Sequence, residues 1–164
     1  MKLIYTLLLS ISLNSCGIYS FTGASIPTEA KTVSVQFFNN KAATVQPTLS
    51  EVFTERLKDI FLEQTNLTLI EYESDLAFSG YISKYQIKPI EIKANETASQ
   101  NRLTIAVKII YKNRLNSESN FEQIFSRYHD YDSAENISDI ESDLIEKITN
   151  ELVEDVFNKA FVNW

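Results

Sequence analysis

Few side chains in this sequence are of types that do chemistry, and their spacing narrows the field further. The single His, at position 129, stands beside Asp130 in the run Arg127-Tyr128-His129-Asp130-Tyr131-Asp132. A general base needs its orienting carboxylate within hydrogen-bond reach, and adjacent residues of an extended strand point to opposite faces, so these two do not form an acid-base dyad. A solvated loop at a strand end is the simpler reading. Glu141, Asp143 and Glu146 sit at helical spacing and read as the solvated side of a helix. There is no G-x-S-x-G elbow, no Gly-rich phosphate cradle and no Cys/His metal spacing. The expectation is a protein without catalytic residues, metal or cofactor.

One reactive side chain remains. Cys16 is the only cysteine, and it follows Lys2 and an uncharged, mostly apolar run from Leu3 to Leu13. A short positive segment, about 7–15 apolar residues and a small residue before the cut mark a secretory signal. The run is too short to span a bilayer, which takes about 20 apolar residues. Leu13 and Ser15 ahead of Cys16 resemble the lipobox of bacterial lipoproteins, although Asn14 departs from the usual small residue between them. In that pattern the thiol is acylated, residues 1 to 15 are removed, and Cys16 becomes the mature N-terminus. More than one acyl chain is needed for a lasting membrane anchor. A lone cysteine also leaves no internal disulfide, so the domain must be held by its core.

Composition bounds the rest. Without its leader the chain is one domain's worth. An apolar content of 44% with 12% aromatics and only three Gly argues for a folded globule. The net charge of -7, one unit more negative once Lys2 leaves, speaks against nucleic acid as a partner.

The elements follow from periodicity. Residues 16 to 30 read as an extended tether from the anchor, with Ile18, Tyr19, Phe21 and Ile26 apolar enough to pack on the domain or a partner. Residues 31 to 164 form the single domain. Val33, Val35 and Phe37 alternate as a half-buried strand over Lys31 to Phe38, and NNKAATVQP is a polar loop. Thr48 and Glu51 suggest a capping box for a helix whose stripe is Leu49, Val52, Phe53, Leu57, Ile60 and Phe61, ending near Gln64. A short strand, Leu67 to Glu71, precedes a long one from Asp75 to about Ile92. In it Leu76, Phe78 and Ile82 share one face, Tyr81, Tyr85 and Ile87 the other, and Gly80 marks a bulge. After a polar loop over residues 93 to 101, a strand around Leu103 to Tyr111 and another from Phe121 to about Tyr128 make a hairpin. Ser138 and Glu141 suggest a second capping box, opening a helix from Asp139 to about Phe161. The predicted order is β-α-β-β-β-β-α. The expected class is α+β, with two amphipathic helices on one face of a four- to five-stranded, mostly antiparallel sheet.

The mature chain, over nearly all of residues 16 to 164, resembles the LptE family of lipopolysaccharide-assembly lipoproteins. The likeness is carried by Cys16-Gly17-Ile18-Tyr19-Ser20-Phe21 with Thr22-Gly23-Ala24-Ser25-Ile26-Pro27, by Thr97 to Ile105, by Phe125-Ser126-Arg127-Tyr128, and by the aromatic tail from Phe157 to Trp164. It implies a domain anchored by lipid to the periplasmic side of the outer membrane. It also implies that the domain plugs the LptD β-barrel translocon, helps that barrel assemble, and binds lipopolysaccharide on its way to the outer leaflet. For such a role Tyr81, Tyr85, Tyr111, Tyr128 and Tyr131 are the candidate partner-interface residues, since amphipathic rings suit interfaces. Lys84, Lys88, Lys93 and Arg102 are the candidate contacts for lipid A phosphates. The alternative is a lipid-anchored periplasmic adaptor of another envelope complex, such as a secretion or efflux accessory, because fold alone does not decide function.

Overall fold

A computed structural model describes residues 26–90 and 100–162. The leader, Cys16, the tether up to residue 25, Lys93 and Trp164 lie outside the described residues.

The elements in chain order are β1 (Thr32–Val35), β2 (Asn39–Asn40), α1 (Leu49–Gln64), β3 (Thr68–Leu69), β4 (Leu76–Ile90), β5 (Gln100–Asn113), a single 3-10 turn at Ser117–Ser119, β6 (Phe121–Asp132) and α2 (Ile137–Phe161). This is the expected α+β class, with two helices on one face of a sheet. Among the described residues the sheet has six strands rather than four or five, in the order β3-β1-β4-β5-β6, with β2 also on β4. Its character is mixed. β4, β5 and β6 form a long antiparallel meander, whereas β1 pairs in parallel with both β3 and β4, and β2 in parallel with β4. The parallel part follows from connectivity, because a helix between β1 and β3 returns the chain in the direction it left. β2 falls inside the segment expected to be a polar loop; two residues are too few to show a period.

Both helix starts differ from the expected capping boxes. Ahead of α1, Thr48 is itself helical and makes no side-chain cap bond. The Gln46 amide oxygen instead accepts from the backbone N–H groups of Thr48 and Leu49, at 2.8 and 2.9 Å. Helix α2 begins at Ile137, where the side chain of Asn136 accepts from Ser138 N–H. In each case a longer or earlier amide side chain satisfies the orphan donors of the first turn.

The core lies between the helices and the sheet. Phe61 from α1 meets Phe78 from β4 at 4.8 Å between ring centroids, Phe78 meets Tyr111 from β5 at 4.8 Å, and Phe157 meets Phe161 on α2 at 5.1 Å. The predicted apolar stripes supply it: Leu49, Phe53, Leu57, Ile60 and Phe61 on one helix and Leu144, Ile148, Leu152, Val156 and Phe161 on the other are buried. Thr149, also buried in α2, carries a hydroxyl with no hydrogen-bond partner among the described residues.

Gly80 is required where it stands. Its φ is +152°, and a Cβ there would meet the carbonyl oxygen of Lys108 at 1.9 Å. Yet Gly80 pairs in register with Ile109, and the bulge expected at it lies further along, between Ile82 and Lys84. Ser83 is the extra residue, and it inverts the alternation of everything after it. Tyr85 and Ile87, expected on the face opposite Leu76 and Phe78, therefore join those residues on the helix side, opposite Ile105 and Leu103.

Candidate functional site

The helices cover one face of the sheet, and among the described residues the other face is open. Register across β4, β5 and β6 assigns its residues row by row: Tyr81, Lys108 and Ile124; Gln86, Thr104 and Tyr128; Lys88, Arg102 and Asp130. Lys84 shares this face, opposite Ala106.

The rows are tied together by charge and by rings. Arg102 donates from Nε and Nη2 to the two carboxylate oxygens of Asp130, at 2.7 and 2.8 Å, and its guanidinium lies 3.6 Å from the centroid of the Tyr128 ring. The hydrogen bond to Asp130 raises the guanidinium's already high affinity for its proton, and the same contact holds the Asp130 carboxyl below its ordinary range. Lys108 is ion-paired with Glu122, and Lys41 stands 4.7 Å from the Tyr81 ring centroid. Lys84 and Lys88 are exposed, and among the described residues neither makes an ion pair. The face is thus a strip of amphipathic rings and cations: Arg102 and Lys108 are neutralised by Asp130 and Glu122, while Lys41, Lys84 and Lys88 make no ion pair among the described residues.

The sequence-predicted residues divide between two places. Tyr81, Tyr128, Lys84, Lys88 and Arg102 come together on the open face. Tyr85, Tyr111 and Tyr131 point to the helices and are buried, so their rings build the core instead of an interface. Burial pushes the Tyr111 hydroxyl up to about 12. Burial, followed by a hydrogen bond to Glu141 of α2, pushes Tyr85 higher still. Residues not anticipated for the open face are Lys108, Ile124 and Asp130, and the alternation along β6 is the signal that would have placed them.

His129 lies within β6, which runs on to Asp132, and not in a loop. It pairs with Leu103 on the helix side, whereas Asp130 turns to the open face, so the two do not face each other. A cleft of about 190 Å³ brings His129 near Glu135, Asp143 and Lys147. Among the described residues no three His, Cys, Asp or Glu side chains are grouped to hold a metal. A second cleft, about 550 Å³, lies along the opposite sheet edge between Phe37, Leu69 and Tyr72, with Lys58 and Glu71 as its charges.

This is a two-layer α+β domain, with helices on one side of the sheet and, among the described residues, nothing covering the other. Its fold is similar to that of a minor lipoprotein from Acinetobacter baumannii, with a TM-score of 0.52, 13% identity, and 79% of this chain and 91% of that chain covered. A protein from Chlamydia trachomatis aligns at a TM-score of 0.53 and 10% identity over 82% of this chain and 99% of its own. A neuraminyllactose-binding hemagglutinin homologue from Helicobacter pylori aligns at 0.53 and 9% identity, covering 87% and 89%. At such identities the likeness is one of fold. No curated protein matches the sequence. The family model "LptE: Lipopolysaccharide-assembly" matches residues 30–160, and the chain belongs to that family.

Proposed function

We propose that this protein is an outer-membrane lipoprotein, acylated at Cys16 and facing the periplasm, that plugs and helps assemble an LptD-type β-barrel translocon. In that place it assists lipopolysaccharide on its way to the outer leaflet. The observation that carries the reading is family membership along residues 30–160. The open sheet face supports it. Tyr81 and Tyr128 offer rings that are apolar in body and polar at the tip, suited to the mixed wall of a barrel lumen. Lys84 and Lys88 offer unneutralised ammonium groups to lipid A phosphates, with Arg102 held beside them by Asp130 and Tyr128. No helix among the described residues is long and apolar enough to cross a membrane, and the proposed attachment is through lipid. The role needs no catalysis, cofactor or nucleic acid.

The test is an affinity pull-down of the C-terminally tagged protein in mild detergent, with mass spectrometry of what accompanies it. A near-stoichiometric large β-barrel is the expected result. Recovery with a different envelope complex would overturn the plug role and move the protein to the adaptor class.

A further inference from the structure

The cleft between Phe37 and Tyr72 lies at the β3 edge, and Lys58 of α1 forms part of its wall, so it belongs to the helix side of the sheet and not to the open face. Two large apolar side chains stand uncovered there, Phe37 at 55% and Tyr72 at 78% exposure. The backbone beside them is also unpaired. Thr68 and Ile70 donate their N–H groups to Lys31 and Val33, at 2.8 and 2.9 Å, so Leu69 between them turns its own N–H and C=O outward. No strand lies on that side of β3 among the described residues. A free edge with an apolar groove alongside it is a site for one more strand.

The chain itself supplies a segment at the right place. A smaller cleft, about 180 Å³, is lined by Ile26, Pro27 and Ala30 together with Asn66 and Leu67, so the described chain begins beside the start of β3. Ile26 also packs against the core. Residues 16–25 lead into it and lie outside the described residues. Their sequence, CGIYSFTGAS, has no charged side chain and no proline, and at a period of two Tyr19 and Phe21 fall on one face. Five residues back from Ile26 is Phe21, and five residues on from Asn66 is Glu71, each about 17 Å of extended chain. Phe21 is therefore long enough in reach to arrive at the cleft. With Ile26 beside Asn66, Gly23 falls opposite Leu69 and Phe21 opposite Glu71. In that register Leu69 and Gly23 exchange both backbone bonds. Leu69 packs against the core on the same side as its partner Val33, and Tyr19 and Phe21 share its face.

We infer that residues 17–25 fold back onto this domain as an added strand, antiparallel to β3 along its free edge, with Tyr19 and Phe21 seated in the groove between Phe37 and Tyr72. The antiparallel sense follows from the path, because the segment leaves Ile26 backwards along the direction in which β3 runs. So seated, the tether is part of the domain, and Cys16 emerges at the Tyr72 end of the sheet. The inference concerns contact within one chain and rests on no partner.

Hydrogen–deuterium exchange of the full-length protein, purified in mild detergent free of any barrel, tests it. The amides of residues 18–24 should exchange at least about tenfold more slowly than those of an unstructured chain. Phe37→Ser with Tyr72→Ser, two exposed positions, should return residues 18–24 to the unstructured rate and leave the slow amides of β5 unchanged, which verifies the fold. Thr22→Cys with Ile70→Cys sets two thiols at a non-hydrogen-bonded antiparallel pair, about 4.5 Å apart at Cα, within the range a disulfide needs. Mild oxidation should close that bridge within one chain, as mapped by mass spectrometry of its peptides. Thr22→Cys with Ser142→Cys, on the exposed side of α2, should stay unbridged. Fast exchange over residues 18–24, protection that survives the two serines, or no bridge between positions 22 and 70 would each overturn the inference. Protection that vanishes on dilution would also overturn it, by assigning the groove to the segment of a second copy. A pull-down that lacks a barrel would leave it untouched, so its failure and that of the plug role are told apart.

Discussion

Arg102 lies over the ring of Tyr128, its guanidinium carbon 3.6 Å from the ring centroid, while both of its forks are held by Asp130. The three residues come from neighbouring strands of the open face, and they turn what would be a mobile surface cation into one with a set direction. A planar guanidinium can stack and bind bidentately at the same time, which an ammonium cannot.

That distinction separates the cations of the face. Replacing Lys84 and Lys88 together by Glu should abolish retention of the protein on immobilised lipid A and leave its unfolding free energy within about 0.5 kcal/mol of the parent, as for other exposed substitutions. Arg102→Lys should weaken lipid A retention less than the double reversal. Retention that survives the double reversal in low salt would remove the open face from lipid binding.

Gly80 should tolerate no side chain. With φ at +152° and a Cβ position 1.9 Å from the Lys108 carbonyl oxygen, Gly80→Ala must push β4 and β5 apart at the centre of the sheet. The expected loss is about 3 kcal/mol or more, in line with strained backbone and overpacked cores. Urea denaturation measures it, and a loss below about 1 kcal/mol would mean that the close approach is not maintained in solution.

Asp75 should make the stability of β1 depend on acid. Its carboxylate accepts from the Lys31 and Thr32 backbone N–H groups and from the Thr32 hydroxyl, at 2.9, 3.0 and 2.9 Å. The Lys31 bond, then the two from Thr32, lower its pKa from the usual 3.8. The folded value is the lower one, so this stabilisation is present above the unfolded pKa and is lost as pH falls through the folded value. Asp75→Asn should therefore lower the thermal midpoint at pH 7, and the gap from the parent should narrow below pH 4. A gap that is constant with pH would assign the loss to geometry instead of charge.

Cys16 should decide where the domain is found. Cys16→Ala, expressed with its own leader, should leave the domain in the soluble periplasmic fraction, since one missing thiol removes all the acyl chains together. Membrane retention of Cys16→Ala in cells lacking the barrel would count against the lipid anchor.

Much of this architecture is local, and the local part is legible in the residues. The stripes of α1 and α2 recur every three or four positions, so Leu57, Ile60, Leu152 and Val156 identify themselves as core without reference to any partner. β5 is the same case at a period of two, from Leu103 to Tyr111. Periodicity places the helix boundaries nearly to the residue, although the spacing points to Thr48 and Ser138 as caps where Gln46 and Asn136 hold the first turns. A capping side chain competes with its neighbours for one N–H, and the winner is settled by the path of the incoming loop.

The open face was half legible. Lys84, Lys88, Arg102, Tyr81 and Tyr128 were all singled out, but so were Tyr85, Tyr111 and Tyr131, which the fold uses internally. Tyr85 went astray because the bulge is at Ser83, and a bulge is a property of two strands, invisible in either alone. Composition, the amphipathic periods and the Cys16 context are set by the chain itself, because each depends on residues a few positions apart. The side of the sheet on which a tyrosine emerges, the parallel pairing of β1, β2 and β3, and the free edge of β3 were decided only by tertiary structure, because each depends on which strand lies alongside.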